Sequence, residues 1–152
     1  QLDRFLLRVR IGYPDAESER EILRNSEGTL PTLARPVLSA EEVLQLQART
    51  HAVRVDEALV DYMMAIVERT RSHEALSLGV SPRGAQALYR ATQALALAEG
   101  REYALPDDVK RLAVPVFAHR VVINTRVALA QRTSDLGDRI LQEILTQVEV
   151  PL

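Results

Sequence analysis

Hydrophobic and polar residues follow one period at the start of the chain and a different period afterwards. Apolar residues fall on every second position of the first segment, which is the period of a half-buried strand. These positions are Phe5, Leu7, Val9 and Ile11. The sequence GYPD at 12–15 ends the alternation, because glycine and proline favour turns. The pattern therefore predicts one strand over about residues 5–11.

From residue 15 onwards, apolar positions recur at the three- and four-residue spacing of helices. Residues suited to capping helix ends stand at the boundaries of these stretches. Helices are predicted at about 15–26, 39–50, 56–70, 81–99, from Pro106 through Phe117, and from about 134 to 148. Pro115 is expected to kink or shorten the fifth of them. The fold class predicted is mainly α, with one N-terminal strand.

The single predicted strand needs a partner, since its backbone N–H and C=O groups must be satisfied. The segment HRVVINT at 119–125 could be extended, and its RVVIN portion could pair with the strand. Alternatively, the sheet lies upstream of Gln1. We favour the second interpretation, in which the sequence begins inside a larger α/β unit.

Composition excludes several classes of function. The chain has 152 residues, 47% of them hydrophobic and 26% charged, which is typical of a globular domain with a core. Its net charge is −2, so the chain lacks the excess of basic residues that a general nucleic-acid binder normally has. It contains no cysteine, and no apolar run approaches the length of about 20 residues that a transmembrane helix needs. We expect neither nucleic-acid binding nor membrane insertion.

The sequence SPRG at 81–84 combines a good helix start with two unfavourable residues. Ser81 is a suitable N-cap and Pro82 suits the first turn. Arg83 then opposes the helix macrodipole, and Gly84 costs helix propensity. A bound anion would reverse the first penalty, and Gly84 would leave its approach clear. The alternative is a surface arginine paired with an acid, with Gly84 packed against a neighbouring helix.

Other candidate residues are weaker. Arg4, beside Asp3, could reach a phosphate of a neighbouring subunit from the rim of a sheet, or could be an ordinary surface arginine. The three histidines are far apart in sequence and match no metal-ligand spacing, so no metal site is expected. The phosphate-binding motif G-x-x-x-x-G-K-[ST] is absent, so the chain alone is not expected to bind a nucleotide or to be an enzyme.

Three segments together resemble the C-terminal part of MoxR-type AAA+ ATPases. They are QLDRFLLRVRIGYPDAESEREIL, then LSAEEVLQLQ, then LGVSPRGAQALYRATQALALAEGREYALPDDVKRLAVPVFAHRVVIN. The resemblance covers nearly the whole chain, and SPRG and PDDV are its most specific pieces. It implies a helical lid at 15–152 that follows the last strand of an α/β core at 1–14.

The resemblance also implies roles for residues. Arg83 corresponds to the sensor 2 arginine that contacts the ATP phosphate, with Ser81 and Gly84 beside it. Arg4 is a candidate arginine finger acting in trans. The Walker A and Walker B residues have no counterpart here, so ATP and Mg²⁺ are expected only in the intact protein, which is expected to be an ATPase.

The resemblance further implies a function and partners. We expect a lid that couples ATP binding and hydrolysis to chaperone-like maturation of partner proteins. Expected partners are its own AAA+ core, neighbouring subunits of a ring expected to be hexameric, and clients with von Willebrand factor A domains, in the cytoplasm. The alternative function is a stand-alone helical protein-interaction module without nucleotide binding.

Overall fold

The structure, a computed structural model, describes residues 2–24, 35–130 and 135–151. Seven α-helices and two short strands lie within these ranges. They are α1 (Ala16–Arg24), α2 (Ala40–Ala52), α3 (Glu57–Ser72), β1 (Leu76–Leu78), α4 (Pro82–Ala98), α5 (Pro106–Phe117), β2 (Val122–Ile123), α6 (Thr125–Ala130) and α7 (Leu136–Gln147). A short 3₁₀ turn, Leu2–Arg4, precedes them. The predicted helix ends at 26 and 134 lie outside the described residues.

The mainly α class is confirmed, and α4 lies at the centre of the bundle. Helix α4 contacts α2, α3, α5 and the Leu2–Arg4 turn, and α7 packs against both α3 and α5. The core is built mostly from aliphatic side chains with one large aromatic ring at its centre. Its fully buried members include Ile66, Val67, Leu88, Val109, Val116, Phe117, Leu141 and Ile144. Within the described ranges, no helix is both long and apolar enough to cross a membrane.

Local capping chemistry sets most of the helix starts. Ser39 and Glu42 form a capping box, in which the Ser39 N–H donates to the Glu42 carboxylate at 2.7 Å. The Asp56 side chain accepts from the Ala58 N–H at 3.0 Å and starts α3. Gly100, with φ of +76°, follows the end of α4 in the left-handed conformation that glycine tolerates.

The predicted strand at 5–11 is not formed. This segment is irregular and exposed, and Ile11 is 95% exposed. The described part of the chain offers it no strand to pair with. Its contacts include hydrogen bonds from Arg120 to the Phe5 and Leu6 carbonyls and from the Arg8 N–H to the Pro115 carbonyl, the last at 2.8 Å. Arg8 and Arg10 also form ion pairs with Asp138 at the start of α7.

The RVVIN segment pairs elsewhere, so its proposed pairing with residues 5–11 is wrong. Strand β2 lies antiparallel to β1, with Leu76 opposite Ile123 and Leu78 opposite Val122. Strand β1 and helix α6 were not predicted, because they are too short for hydrophobic periodicity to reveal them. This antiparallel pairing, between strands separated by α4 and α5, closes the bundle between α3 and α7.

Helix α5 continues through Pro115 and ends at Phe117. Pro115 lies in the last turn, which the hydrogen bond from the Ala118 N–H to the Val114 carbonyl still closes at 2.9 Å. The chain then turns through two further bonds, from the N–H groups of Arg120 and Val121 to the Phe117 carbonyl. This turn directs the Arg120 side chain back towards the N-terminal segment.

Candidate functional site

The N-terminus of α4 is largely satisfied by the chain itself. Ser81 is the N-cap, and its Oγ accepts from the Gly84 N–H at 3.1 Å. The Ser81 carbonyl accepts from the Ala85 N–H at 3.1 Å, and Pro82 has no N–H. The backbone donor left for a ligand in this first turn is therefore the N–H of Arg83.

Arg83 projects from the first turn of α4 and is exposed. Across residues 2–24, 35–130 and 135–151, its guanidinium has no hydrogen bond and no salt bridge. Its positive charge attracts the Asp3 carboxylate and contributes to the lowered pKa of that group. The alternative in which Arg83 pairs with an acid is thus not what the described structure shows. A cation at a helix N-terminus opposes the macrodipole, and no hydrogen bond or salt bridge within the described residues offsets that cost here.

Gly84 is buried and faces the interior. A Cβ atom built on it would lie 2.6 Å from Val80 Cγ1 and 3.1 Å from Arg120 Cδ. The residue therefore permits close packing, although the atoms it meets belong to Val80 and Arg120, which lie outside the helices, and not to a neighbouring helix. Whether it also keeps a phosphate approach clear stays a prediction.

Asp3 connects the N-terminal turn to the start of α4. Its carboxylate accepts from the Ser81 hydroxyl at 3.0 and 3.1 Å and from Arg120 at 2.8 Å. Partial burial by itself would raise the pKa of Asp3. Hydrogen bonds from Ser81 and Arg120, together with the positive charges of Arg120 and Arg83, lower the pKa by more, so it lies below its ordinary value. Asp3 is accordingly ionised at neutral pH.

Arg120 is the most deeply buried cation at this end of the bundle, with a side chain only 2% exposed. Its Nε donates to the Val116 carbonyl at 2.8 Å, which orients the guanidinium along α5. One terminal nitrogen donates to the Asp3 carbonyl at 2.6 Å as well as to the Asp3 carboxylate. The other donates to the Phe5 carbonyl and, at 3.3 Å, to the Leu6 carbonyl. Three of its five acceptors are thus main-chain oxygens of the N-terminal segment.

Arg4 is exposed at the end of the 3₁₀ turn, next to Asp3. Like Arg83, it forms no hydrogen bond or ion pair with any residue that the structure describes. Arg4 and Arg83 each lie within two residues of an end of the Asp3–Ser81 hydrogen bond. The structure therefore brings together the segments that carry both arginines predicted from the sequence.

Sequence reasoning missed Asp3 and Arg120 as members of this site. Arg120 lies between the apolar segments that end α5 and begin β2, and this position was the one available signal of burial. Its partners in the N-terminal segment are more than a hundred positions away in sequence, so no local pattern reveals them.

The opposite end of α4 contains a second arginine cluster with a different character. Arg101 donates to both oxygens of the buried Asp108 carboxylate, at 2.7 and 2.8 Å, and to Glu99 at 2.8 Å. Glu99 also accepts from Arg111. Asp108 further accepts from the Leu105 N–H at 2.8 Å, which seals the start of α5 although Leu105 has no capping side chain.

No metal centre is formed by the residues that the structure describes, since they contain no group of three or more His, Asp or Glu placed to hold an ion.

A comparison with protein families matches residues 68–144 to the AAA lid domain. Several curated proteins are similar over nearly the whole chain. It is 38% identical to an uncharacterized protein of Bacillus subtilis, YeaC, over 100% of this chain and 47% of that protein. It is 36% identical to the chaperone MoxR1 of Mycobacterium tuberculosis, over 99% of this chain and 41% of the relative. It is 30% identical to protein MoxR of Paracoccus denitrificans, over 98% and 49%.

The fold is also similar to a solved structure. A crystal structure from Cytophaga hutchinsonii, described provisionally as that of an ATPase, superimposes with a TM-score of 0.84 at 28% identity. The match covers 99% of this chain and 48% of the other. The chain thus spans about half the length of the relatives it matches.

Proposed function

Because this chain belongs to the AAA lid domain family and is a lid of the MoxR type, we propose that Arg83 is the residue through which it senses ATP. In this proposal the lid belongs to an AAA+ ATPase, and the Arg83 guanidinium contacts the terminal phosphate of a nucleotide held by the α/β core. The observation that carries it is an exposed arginine at a helix N-terminus with no partner in the described residues.

The described residues can provide one contact to ATP, but not a complete binding site for it. Arg83 offers its guanidinium and its backbone N–H, both of which suit a phosphate oxygen. The sequence has no phosphate-binding loop, and the described residues have no carboxylate cluster suited to Mg²⁺. The core would therefore hold the nucleotide and its metal ion. ATP supplies the free energy of phosphoanhydride cleavage, and the lid responds to the charge of the terminal phosphate.

The consequence of that contact is a change in the lid equilibrium. A charge-assisted hydrogen bond contributes roughly 1.5–3 kcal/mol. A contact present with ATP and lost after hydrolysis would shift an open–closed equilibrium about tenfold or more. The lid would close over ATP and be released when the phosphate leaves.

Arg4 is proposed as the arginine finger, which acts on the nucleotide of a neighbouring subunit in a ring. Its exposure and its lack of an ion pair within the described residues support this role. The ring, which we expect to be a hexamer, would use the lid motion to mature client proteins in the cytoplasm, including clients with von Willebrand factor A domains. The relative of Mycobacterium tuberculosis named as a chaperone supports this class of activity.

The test is a substitution of Arg83 in the protein that joins this lid to its nucleotide-binding core. Arg83→Ala should reduce ATP turnover at least tenfold, because the differential phosphate contact is lost. Arg90→Ala is the matched control, since Arg90 is an exposed arginine of the same helix that contacts His51. Turnover equal to wild type in R83A, with R90A also unchanged, would refute the proposal and favour a stand-alone interaction module.

A further inference from the structure

The Leu2–Leu6 segment, which leads into the lid, is held by the buried charge of Arg120 rather than by side-chain packing. Its apolar side chains are exposed, and Phe5 and Leu6 are 65% and 49% exposed. Its carbonyl groups, in contrast, converge on the Arg120 guanidinium. A segment with exposed side chains and engaged carbonyls is fixed mainly by those hydrogen bonds.

We propose that Arg120 and Asp3 form a latch that fixes the Leu2–Leu6 segment against the N-terminus of α4, so that Arg4 and Arg83 are held in one fixed relation. Arg120 and Asp3 are positioning residues in this proposal, because neither would touch the nucleotide. The inference rests on the proposed roles of Arg4 and Arg83 for its consequence in ATP turnover, and on the contacts of Arg120 and Asp3 for the latch itself.

The geometry of Arg120 suits a latch. A guanidinium presents its five N–H donors in a planar, rigid fork, so satisfying several of them at once fixes both position and orientation of what it binds. The Arg120 Nε donates to the Val116 carbonyl of α5, and its two terminal nitrogens donate to Asp3, Phe5 and Leu6. His119 adds a further bond from its Nε2 to the Phe5 carbonyl at 3.0 Å. The segment is thereby tied to α5.

Asp3 extends the latch to α4. Its carboxylate joins Arg120 on one side to the Ser81 hydroxyl on the other, and Ser81 in turn caps the Gly84 N–H. The backbone of Gly84 lies close enough to Arg120 that an added Cβ would meet its Cδ at 3.1 Å. The 3₁₀ turn with Arg4, the first turn of α4 with Arg83, and the end of α5 are therefore joined through one connected set of polar contacts.

A distance measurement on this 152-residue chain tests the latch without any nucleotide. The sequence contains no cysteine, so Leu2→Cys and Gln86→Cys place two spin labels, one beside Asp3 and one in α4, without removing native thiols. Double electron–electron resonance between the two labels should give a narrow distance distribution for the otherwise unchanged chain. Asp3→Ala should broaden it, because the link between Arg120 and Ser81 is lost, and Arg120→Met should broaden it further.

Glu99→Ala is the matched control. It also removes a carboxylate that accepts from two side chains, but at the opposite end of α4. It should leave the distribution narrow. If D3A and R120M both gave distributions as narrow as that of E99A, the latch would be disproved. Because R120M removes a buried charge and could prevent folding, D3A alone decides the outcome where circular dichroism shows R120M unfolded.

The positioning role is tested separately in the protein that contains the core. D3A should lower kcat for ATP about tenfold to a hundredfold, since misplacing catalytic groups by about 1 Å has effects of that size. KM for ATP should stay nearly constant, because the core binds the nucleotide. Asp3→Glu should recover part of the loss by restoring the carboxylate.

These results separate the latch from the proposed function. Unchanged kcat in D3A, together with a large loss in R83A, would overturn the positioning role while leaving Arg83 as the sensor. Unchanged kcat in both would overturn the sensor role and, with it, the consequence proposed for turnover. The distance distributions would still decide whether the latch exists.

Discussion

The two ends of α4 use arginine in opposite ways. At the C-terminal end, Arg101 and Arg111 both bind carboxylates of the same chain, and one of these, Asp108, is buried. At the N-terminal end, Arg83 is exposed and has no hydrogen bond within the described residues. Cations near a helix C-terminus also interact favourably with the macrodipole, whereas Arg83, at the N-terminus, interacts with it unfavourably. The first cluster therefore contributes to the fold, whereas the contacts that would give Arg83 such a role are absent from the described residues.

Removing the buried carboxylate of the C-terminal cluster should have the largest effect on stability. Asp108→Ala leaves Arg101 and the Leu105 N–H without their partner and should lower the free energy of unfolding by about 3 kcal/mol. Urea denaturation measures the change. Asp107→Ala is the control, because Asp107 is exposed and contacts only Lys110 among the described residues. An equal loss in both variants would contradict the structural role of Asp108.

A methyl group added at the N-terminal end should have the next largest effect. Gly84→Ala forces Cβ against Val80 and Arg120 and should reduce stability by about 1–3 kcal/mol despite the better helix propensity of alanine. Gly137→Ala provides the control, since the nearest atom to its Cβ would lie at 3.8 Å. It should cost no stability in the same denaturation experiment. A stabilised G84A variant would show that the site has room and that close packing does not explain the glycine.

Arg83→Ala should leave the thermal unfolding midpoint of the chain unchanged or slightly raised. The reason is that the substitution removes a cation from a helix N-terminus without breaking a bond in the described structure. Arg101→Ala should lower the midpoint in the same calorimetric experiment, because it deprives buried Asp108 of two hydrogen bonds. A clear loss of stability in R83A would mean that Arg83 serves the fold, and the contrast between the two ends would disappear.

The smallest effect concerns pH, and it should be similar at both ends. Hydrogen bonds from Arg111 and Arg101 lower the pKa of Glu99 below its ordinary value of 4.5. The pKa of Asp3 lies below 3.8 for the reasons given above. Groups with a depressed folded pKa stabilise fully above their unfolded pKa and lose that contribution as pH falls through the folded pKa. Stability should therefore be flat near neutrality and decline from about pH 5 downwards.

Nuclear magnetic resonance of the two carboxyl groups measures these pKa values directly. Denaturation midpoints of D3A and E99A should show a shallower decline in acid than those of the wild type. Ordinary pKa values for both carboxyl groups would contradict the hydrogen bonds assigned to them.

The sequence predicts local features of this molecule better than distant ones. The caps at Ser39, Asp56 and Ser81 are read from neighbouring residues, because each side chain bonds a backbone N–H two or three positions away. The same local rule located Arg83 against the dipole.

Features that depend on distant partners were predicted poorly. Alternation at 5–11 is a necessary property of a strand, but a strand also needs a neighbour, and the described chain supplies none. Strand β1 is formed by only three residues whose pairing comes from β2. The partner of Arg120 could not be recognised, since Asp3 lies 117 positions away in the sequence. The sequence also could not show that Gly84 packs against Val80 and Arg120, because one of these neighbours is distant in the chain.

The manner in which Arg120 holds the entrance to the lid has a consequence for engineering. It binds oxygen atoms that every amino acid possesses, at Phe5 and Leu6, so the identity of those two residues hardly matters to the attachment. The lid should therefore accept different residues at positions 5 and 6, provided that a chimaera with an unrelated core preserves Asp3 on one side of the joint and both Ser81 and Arg120 on the other.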